Sequence, residues 1–142
     1  MKEQNFKNHA RLVLGFHGIA FSAMLLLLIG AIRNFIRSSE ENLYSASLLI
    51  LVAVIFFFLF YYIRGFALKA QDRAIRAEEK LRYFILTGKA LSNAITTRQI
   101  IGLRFASDEE FVALIDKAEK ENLSEKEIKR LIKNWKADTY RV

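Results

Sequence analysis

The sequence predicts an all-α membrane protein: a two-span transmembrane helical hairpin, with the second span continuing into a cytoplasmic helical stalk, followed by a small cluster of short helices. Two uncharged runs, residues 12–32 and 43–63, predict the spans, because ~21 helical residues cover ~31 Å and match a hydrocarbon core of ~30 Å. The chain has no proline, which favours long unbroken helices. Three helix-capping patterns in the last third predict the short helices.

Residues 1–11 form a polar lead before the first span. The run 12–32 is longer than the apolar region of a signal peptide, which is typically about 7–15 residues. It is followed by Arg33-Asn34-Phe35 and not by a small-x-small cleavage site. We therefore predict an uncleaved transmembrane helix, with signal-anchor behaviour as the alternative.

The short connection 33–42 requires the two spans to pack antiparallel, as a hairpin over residues 12–63. Basic residues flank the hairpin on its terminal sides: Lys2, Lys7, Arg11, Arg64, Lys69, Arg73 and Arg76. The connection carries only Arg33 and Arg37, which are offset by Glu40 and Glu41. Lys and Arg are retained on the cytoplasmic side, so we expect both termini in the cytoplasm and the loop outside.

Residues 64–88 are predicted to form the stalk. Strong helix formers continue past Ile63, and Gly88 is the first plausible helix stop. One helix from Leu43 to about Thr87 would extend ~35 Å beyond the membrane. A break at Arg64-Gly65 is the alternative, and it would place the following cluster on the membrane surface.

Small and apolar residues recur along the stalk at alternating spacings of three and four, as in a coiled-coil heptad. This alanine stripe consists of Ala67, Ala70, Ala74, Ala77, Leu81, Phe84 and Gly88. Small side chains at these positions would let another helix approach closely. The other interpretation is a solvated stalk that is rich in alanine because alanine favours helix.

Residues 89–142 are predicted to form the small basic helical cluster. Thr96 with Gln99, Ser107 with Glu110 and Ser124 with Glu127 each fit a capping box. They open the segments 98–106, 108–122 and 125–137. The second and third segments each place an apolar set on one face: Phe111, Leu114, Ile115, Ala118, then Ile128, Leu131, Ile132, Trp135. So small a core is marginal alone, and we expect it to pack on the stalk, the membrane or a partner.

Small residues in both spans predict close packing of the spans or of a partner helix. They are Gly15, Gly18, Ser22, Ala23, Gly30, Ser45, Ala46, Ser47 and Ala53. The aromatic run Phe56, Phe57, Phe58 and Phe60 faces several directions of a helix, and we interpret it as lipid-facing bulk and not as an aromatic site.

His17 lies within the first span, where a polar residue suggests haem or metal ligation or proton relay. The second span offers no His, Asp, Glu or Met to pair with it, and His9 is about two helical turns away. We therefore expect His17 to bond to a neighbour, a lipid headgroup or water.

The last predicted helix is strongly basic, with Trp135 on its apolar face. Its cations are Lys126, Lys129, Arg130, Lys133 and Lys136, with Arg141 beyond. They suit anionic lipid, nucleic acid or the ribosome, or form a solvated face. The absence of an interleaved aromatic platform makes nucleic acid a weak candidate.

The sequence predicts no enzyme, no catalytic residue, no cofactor and no metal site, and no small-molecule substrate is inferred. Cysteine is absent, and neither a nucleophile elbow nor a glycine-rich phosphate loop occurs. We predict a non-catalytic accessory or scaffolding subunit in the lipid bilayer that binds a larger membrane protein assembly or a homo-oligomer. The alternative is a membrane-tethered module whose basic C-terminal helix recruits nucleic acid, ribosome or anionic lipid. The candidate partner contacts are Ala70, Ala74, Ala77, Leu81, Phe84, Lys129, Arg130, Lys133 and Trp135.

Three segments, KEQNFKNHARLVLGFHG, RQIIGLRFASDEEF and IKNWKADTYRV, resemble a family of small bacterial two-span membrane proteins known as a domain of unknown function. With the spans between them, the resemblance covers essentially the whole chain. It implies a bacterial inner-membrane location and a compact C-terminal helical region. It implies no activity and no site.

Overall fold

A computed structural model describes residues 4–9 and 12–138 of the chain. Its α-helices are α1 (Phe21–Arg37), α2 (Leu43–Thr87), α3 (Thr97–Leu103), α4 (Asp108–Lys120) and α5 (Glu125–Leu131). Within the described residues there is no strand, only one isolated antiparallel bridge between Ala106 and Trp135. The all-helical prediction is confirmed. Lys2, Arg11 and Arg141, which we counted among the basic residues, lie outside the described residues.

The chain divides into two compact units. The hairpin unit comprises residues 11–67, and the helical unit comprises residues 68–142 together with the first ten residues. The polar lead therefore belongs with the C-terminal cluster, which the order of segments along the chain did not indicate. Each unit is considered below by itself.

The hairpin unit begins with a π-helical segment, Leu14–Ala20, that leads into α1. Helix α1 continues to Arg37, so residues 33–37 of the predicted loop are helical. A 3-10 turn, Glu40–Asn42, then precedes α2, so the connection is shorter than the predicted loop. Leu14–Arg37 and Glu40–Thr87 are long and apolar enough to cross a membrane, which makes them candidate spans.

Three alanines, and not Gly15 or Gly30, occupy buried positions of the hairpin unit. Ala31, Ala46 and Ala53 are buried, with at most 4% exposure. A Cβ added at Gly15 or Gly30 would meet no atom within 4 Å, so these glycines do not mediate a close approach. The small-residue prediction thus holds for Ala46 and Ala53 and fails for the glycines at these two positions.

Phenylalanine rings pack the first helical segment and α1 against α2. The ring of Phe16 stacks on that of Phe60 with centroids 4.0 Å apart, and Phe21 meets Phe57 edge-on at 6.3 Å. Phe57 and Phe60 therefore pack within the hairpin unit, whereas Phe56 and Phe58 of the same run are exposed. Stacked and edge-to-face pairs add to simple area burial, which explains why these rings are used for packing.

Helix α2 ends as the sequence predicts. Arg64 and Gly65 lie within it, so the prediction of a continuous helix is confirmed and the alternative, a break at Arg64-Gly65, is wrong. Gly88 follows with φ +68, and its N–H donates to the carbonyl of Phe84 at 2.7 Å. Glycine adopts this left-handed conformation without a Cβ penalty, which makes it a favoured helix terminator.

The core of the helical unit is formed where α3, α4 and α5 meet. Its most buried large side chains are Phe105, Phe111, Ile100, Leu103, Ile115 and Ile128. The apolar face predicted for α4 is buried in full. Gly102 allows α3 to approach α5, since a Cβ there would lie 3.1 Å from the Glu125 carbonyl oxygen.

Two of the three predicted capping boxes are confirmed, at Thr96 with Gln99 and at Ser124 with Glu127. The third is wrong. Ser107 precedes α4 without a side-chain cap, and its hydroxyl has no hydrogen-bond partner among the described residues. Glu110 instead accepts hydrogen bonds from the backbone N–H groups of Lys133 and Asn134, at 3.1 and 3.0 Å.

That use of Glu110 explains why the predicted helix 125–137 is too long. Helix α5 stops at Leu131, and Ile132 is extended. The tail then runs beside the segment after α3: Ser107 N–H donates to the carbonyl of Asn134 at 3.0 Å, and Lys136 N–H to that of Phe105 at 2.8 Å. Tertiary hydrogen bonds override the helical periodicity here.

The Ser124 cap predicts a specific loss of stability in acid. Hydrogen bonds from the Ser124 hydroxyl and then its backbone N–H lower the pKa of Glu127 below its ordinary value of 4.5. Because the pKa is lower in the folded state, the stabilisation is present above the ordinary value and is lost as pH falls through the lowered one. Glu127→Gln keeps the cap but removes the titration. Thermal unfolding from about pH 6 to about pH 3 should show wild type losing stability relative to Glu127→Gln.

Asp116→Asn is the matched control, because it removes an exposed carboxylate that lies outside the cap. If Asp116→Asn changes the pH profile as much as Glu127→Gln does, the cap is not the source of the effect.

Candidate interaction surfaces

Arg82 joins α2 to the rest of the helical unit. Its guanidinium donates to Asp108 Oδ1 at 2.6 Å, to Glu79 Oε2 at 3.0 Å and to the Ala106 carbonyl at 2.8 Å. It also lies over the ring of Phe111, 4.1 Å from the centroid. The planar guanidinium makes several directed hydrogen bonds at once, so it sets the rotation of α2 about its own axis.

Ile75, Glu79 and Arg82 form the inner face of α2. Ile75 is part of the hydrophobic core, and Glu79 is 8% exposed. These residues recur at i, i+4 and i+7, so they share one side of the helix.

The alanine stripe lies elsewhere on the helix surface. We call five of its residues the outer face of α2: Ala70, Ala74, Ala77, Leu81 and Phe84. All are exposed in the helical unit, with Leu81 at 59% and Phe84 at 54%. The cluster of this chain does not cover the stripe, which leaves the outer face open to another molecule.

The polar lead packs against the C-terminal tail. Gln4 and Asp138 exchange two hydrogen bonds: Asp138 N–H donates to Gln4 Oε1 at 2.8 Å, and Gln4 Nε2 donates to the Asp138 carbonyl at 3.4 Å. Asp138 also pairs with Arg104, Oδ2 to Nε, at 3.2 Å. Residues 134 positions apart in sequence are thus joined directly.

His9 anchors the lead through its ring. The ring lies 5.8 Å from that of Phe105 and 5.9 Å from that of Trp135, centroid to centroid. His9 Nδ1 is 2.8 Å from the Phe6 carbonyl oxygen, an acceptor, so Nδ1 carries the proton. With this tautomer Nε2 accepts from Lys129 Nζ at 3.4 Å.

Two of the predicted partner contacts are internal. Lys129 is 8% exposed, and its ammonium contacts Glu125 Oε1 at 2.6 Å and lies 5.3 Å from the Phe105 ring centroid. Trp135 is half-buried and packs on Phe105 with ring centroids 5.0 Å apart. Lysine can bury its aliphatic stem when its charge is paired, which the helical pattern of charges does not reveal.

Arg130 and Lys133 remain exposed, as do Lys126 and Lys136. Arg130 lies over the ring of Phe6, 5.6 Å from the centroid, so it also holds the polar lead. The basic surface is therefore smaller than the sequence indicates.

A groove of about 690 Å³ lies between the lead and the tail. Gln4, Ser107, Asp108, Lys133 and Trp135 are among its lining residues. Its walls carry both signs of charge, so the groove favours no single class of ligand.

His17 lies in the π-helical segment, where its Nδ1 is 3.1 Å from Val13 N and 3.2 Å from the Val13 carbonyl oxygen. It thus contacts the backbone at the start of its own helix, as one of the sequence interpretations proposed. Among the described residues, no group of three or more His, Cys, Asp or Glu side chains could hold a metal ion.

The family model described as "Family of unknown function (DUF6526)" matches residues 1–142, the whole chain. No curated protein and no solved structure matches the chain.

Removing Arg82 should loosen the helical unit from α2. Arg82→Ala leaves Glu79 buried without its cation, and breaking such a pair costs about 3–5 kcal/mol. The free energy of unfolding of Arg82→Lys should lie between those of wild type and Arg82→Ala. Lysine keeps the positive charge but lacks the planar guanidinium that makes several hydrogen bonds at once. Thermal unfolding of the detergent-solubilised protein, followed by near-UV circular dichroism of Trp135, measures the loss.

Arg76→Ala is the control, because Arg76 is an exposed arginine on the same helix. Its effect should stay within about 0.5 kcal/mol. Equal destabilisation by Arg82→Ala and Arg76→Ala would contradict the assigned role.

Proposed function

Because the chain belongs to DUF6526, a family of unknown function, we propose its role from its own residues: it is a non-catalytic accessory or scaffolding subunit of a larger membrane protein assembly. Two transmembrane spans anchor it in the bacterial inner membrane with both termini in the cytoplasm. The helical unit and the outer face of α2 then contact the partner protein.

The observation that carries the proposed topology is the pair of hydrogen bonds between Gln4 and Asp138. Gln4 precedes the first apolar helix, and Asp138 follows the second. A chain whose two ends meet must leave and return across the membrane an even number of times. Two spans with both termini on one side satisfy this requirement, and the basic flanks favour the cytoplasmic side.

The outer face of α2 supports a protein partner. Leu81 and Phe84 of this face are 59% and 54% exposed, and Ile85 beside them is 70% exposed. Large contiguous patches of exposed apolar side chains mark interaction sites on protein surfaces.

Recruitment of nucleic acid, ribosome or anionic lipid by the basic helix has less support. Lys129 and Trp135 are used inside the helical unit, and Arg130 contacts the polar lead. The remaining exposed lysines give no directional recognition pattern.

Thiol labelling tests the topology, since the chain has no cysteine of its own. Ser39→Cys lies in the connection between the candidate spans, and Lys126→Cys lies in α5. In intact spheroplasts, a membrane-impermeant maleimide should label Ser39→Cys at once and Lys126→Cys only after lysis. Equal labelling of both variants before lysis would contradict the proposed topology.

Mass measurement after gentle detergent extraction tests the accessory role. We expect a complex that is heavier than two copies of the 16.4 kDa chain. A monodisperse monomer or homodimer with correct topology would contradict the accessory role while leaving the membrane anchor intact.

A further inference from the structure

We propose that the outer face of α2 binds the same face of a second copy of this chain, as a parallel, in-register helix pair. The inference rests on the proposed function, because membrane insertion gives both copies the same direction. The proposed function leaves open which protein contacts the outer face of α2, and we infer here that it is a second copy of this chain.

The periodicity of the outer face fits a two-helix interface. Ala74 and Leu81 take the a positions of a heptad, and Ala70, Ala77 and Phe84 take the d positions. The alanines permit a short distance between the helix axes, at the low end of the 8–10 Å that is usual for packed helices. Leu81 and Phe84, which are more than half exposed, supply the larger apolar contact.

The charges beside this interface complement those of a second copy. Arg73 takes a g position, and Glu78 takes the e position of the following heptad. In a parallel pair, g faces e of the next heptad on the other helix, so Arg73 of each copy meets Glu78 of the other. Both side chains are exposed, and neither forms an ion pair with another described residue.

The same charges disfavour an antiparallel pair. Antiparallel packing brings g positions together, and here both g positions, Arg73 and Lys80, are basic. Like charges held opposite each other destabilise such an interface. The charge pattern therefore selects the orientation that insertion in one direction also imposes.

Pairing leaves the helical unit undisturbed. The inner face, centred on Ile75, Glu79 and Arg82, occupies the b and f positions of the same heptads. These positions lie on the opposite side of the helix from a and d. Each copy can therefore keep its own core while the outer faces meet.

Cysteine cross-linking in native membranes tests the pair, because the chain has no other thiol. Ala77→Cys, at a d position, should form a disulfide-linked dimer on mild oxidation. Arg76→Cys, exposed at a c position of the same turn, should form far less. Equal cross-linking of the two variants would overturn the proposal.

Charge exchange tests the orientation. In the Ala77→Cys background, Arg73→Glu or Glu78→Arg alone should weaken dimerisation by about threefold to tenfold, because two symmetry-related pairs are lost. The double variant, Arg73→Glu with Glu78→Arg, should restore cross-linking. A double variant no better than the single ones would overturn the parallel register.

The outcomes separate the two proposals. The pairing of two copies would be overturned if Ala77→Cys showed no preferential cross-linking. The accessory role would still stand if the thiol topology were as expected and the native complex were heavy. Failure of the topology experiment would overturn the proposed function, on which the parallel orientation depends. Unchanged near-UV circular dichroism of Trp135 in each variant shows that the helical unit is intact.

Discussion

The contacts of the Arg82 guanidinium determine how the helical unit uses α2. A carboxylate on its own helix, a second carboxylate and a carbonyl on the neighbouring segment hold it in one position. These contacts turn one side of α2 towards the core and leave Ala74, Ala77 and Leu81 exposed. Because one side chain fixes the rotation of the helix, the internal surface and the free surface are set together.

The junction of the polar lead with the tail is the second constraint. Gln4 binds Asp138, and the His9 ring is held between Phe105 and the Lys129 ammonium. These contacts use residues that would otherwise extend the basic surface. The contacts that hold the polar lead therefore occupy basic side chains, which leaves fewer of them on the surface for an anionic partner.

Local signals in the sequence predict much of the fold. The length of the apolar runs, the continuity of α2, its end at Gly88, the buried face of α4 and two capping boxes follow from neighbours in the chain. The failures share a cause, which is contact between distant residues. Glu110 leaves its predicted cap to bind the tail, and α5 ends early because residues 133–136 pair with the segment after α3.

The residues of the candidate surfaces were likewise predictable from the sequence only where the signal is local. Heptad spacing identifies the alanine stripe, and the structure places its five residues from Ala70 to Phe84 on an exposed face. Charge counting does not identify Lys129 as internal, because its burial depends on His9 and Phe105, which are remote in sequence. Nor does any local signal single out Arg82 among the arginines of α2, since its partners Ala106 and Asp108 follow much later in the chain.

Single-cysteine scanning of residues 70–85, comparing maleimide reaction rates in native membranes and in a dissociating detergent, tests the two-sided use of α2 most directly. Positions 74, 77, 81 and 84 should react slowly in membranes and rapidly in detergent, because only the native assembly covers them, whereas positions 75 and 79 should react slowly in both. Rapid reaction of positions 74, 77, 81 and 84 in membranes would show that no partner covers the outer face and would contradict the account.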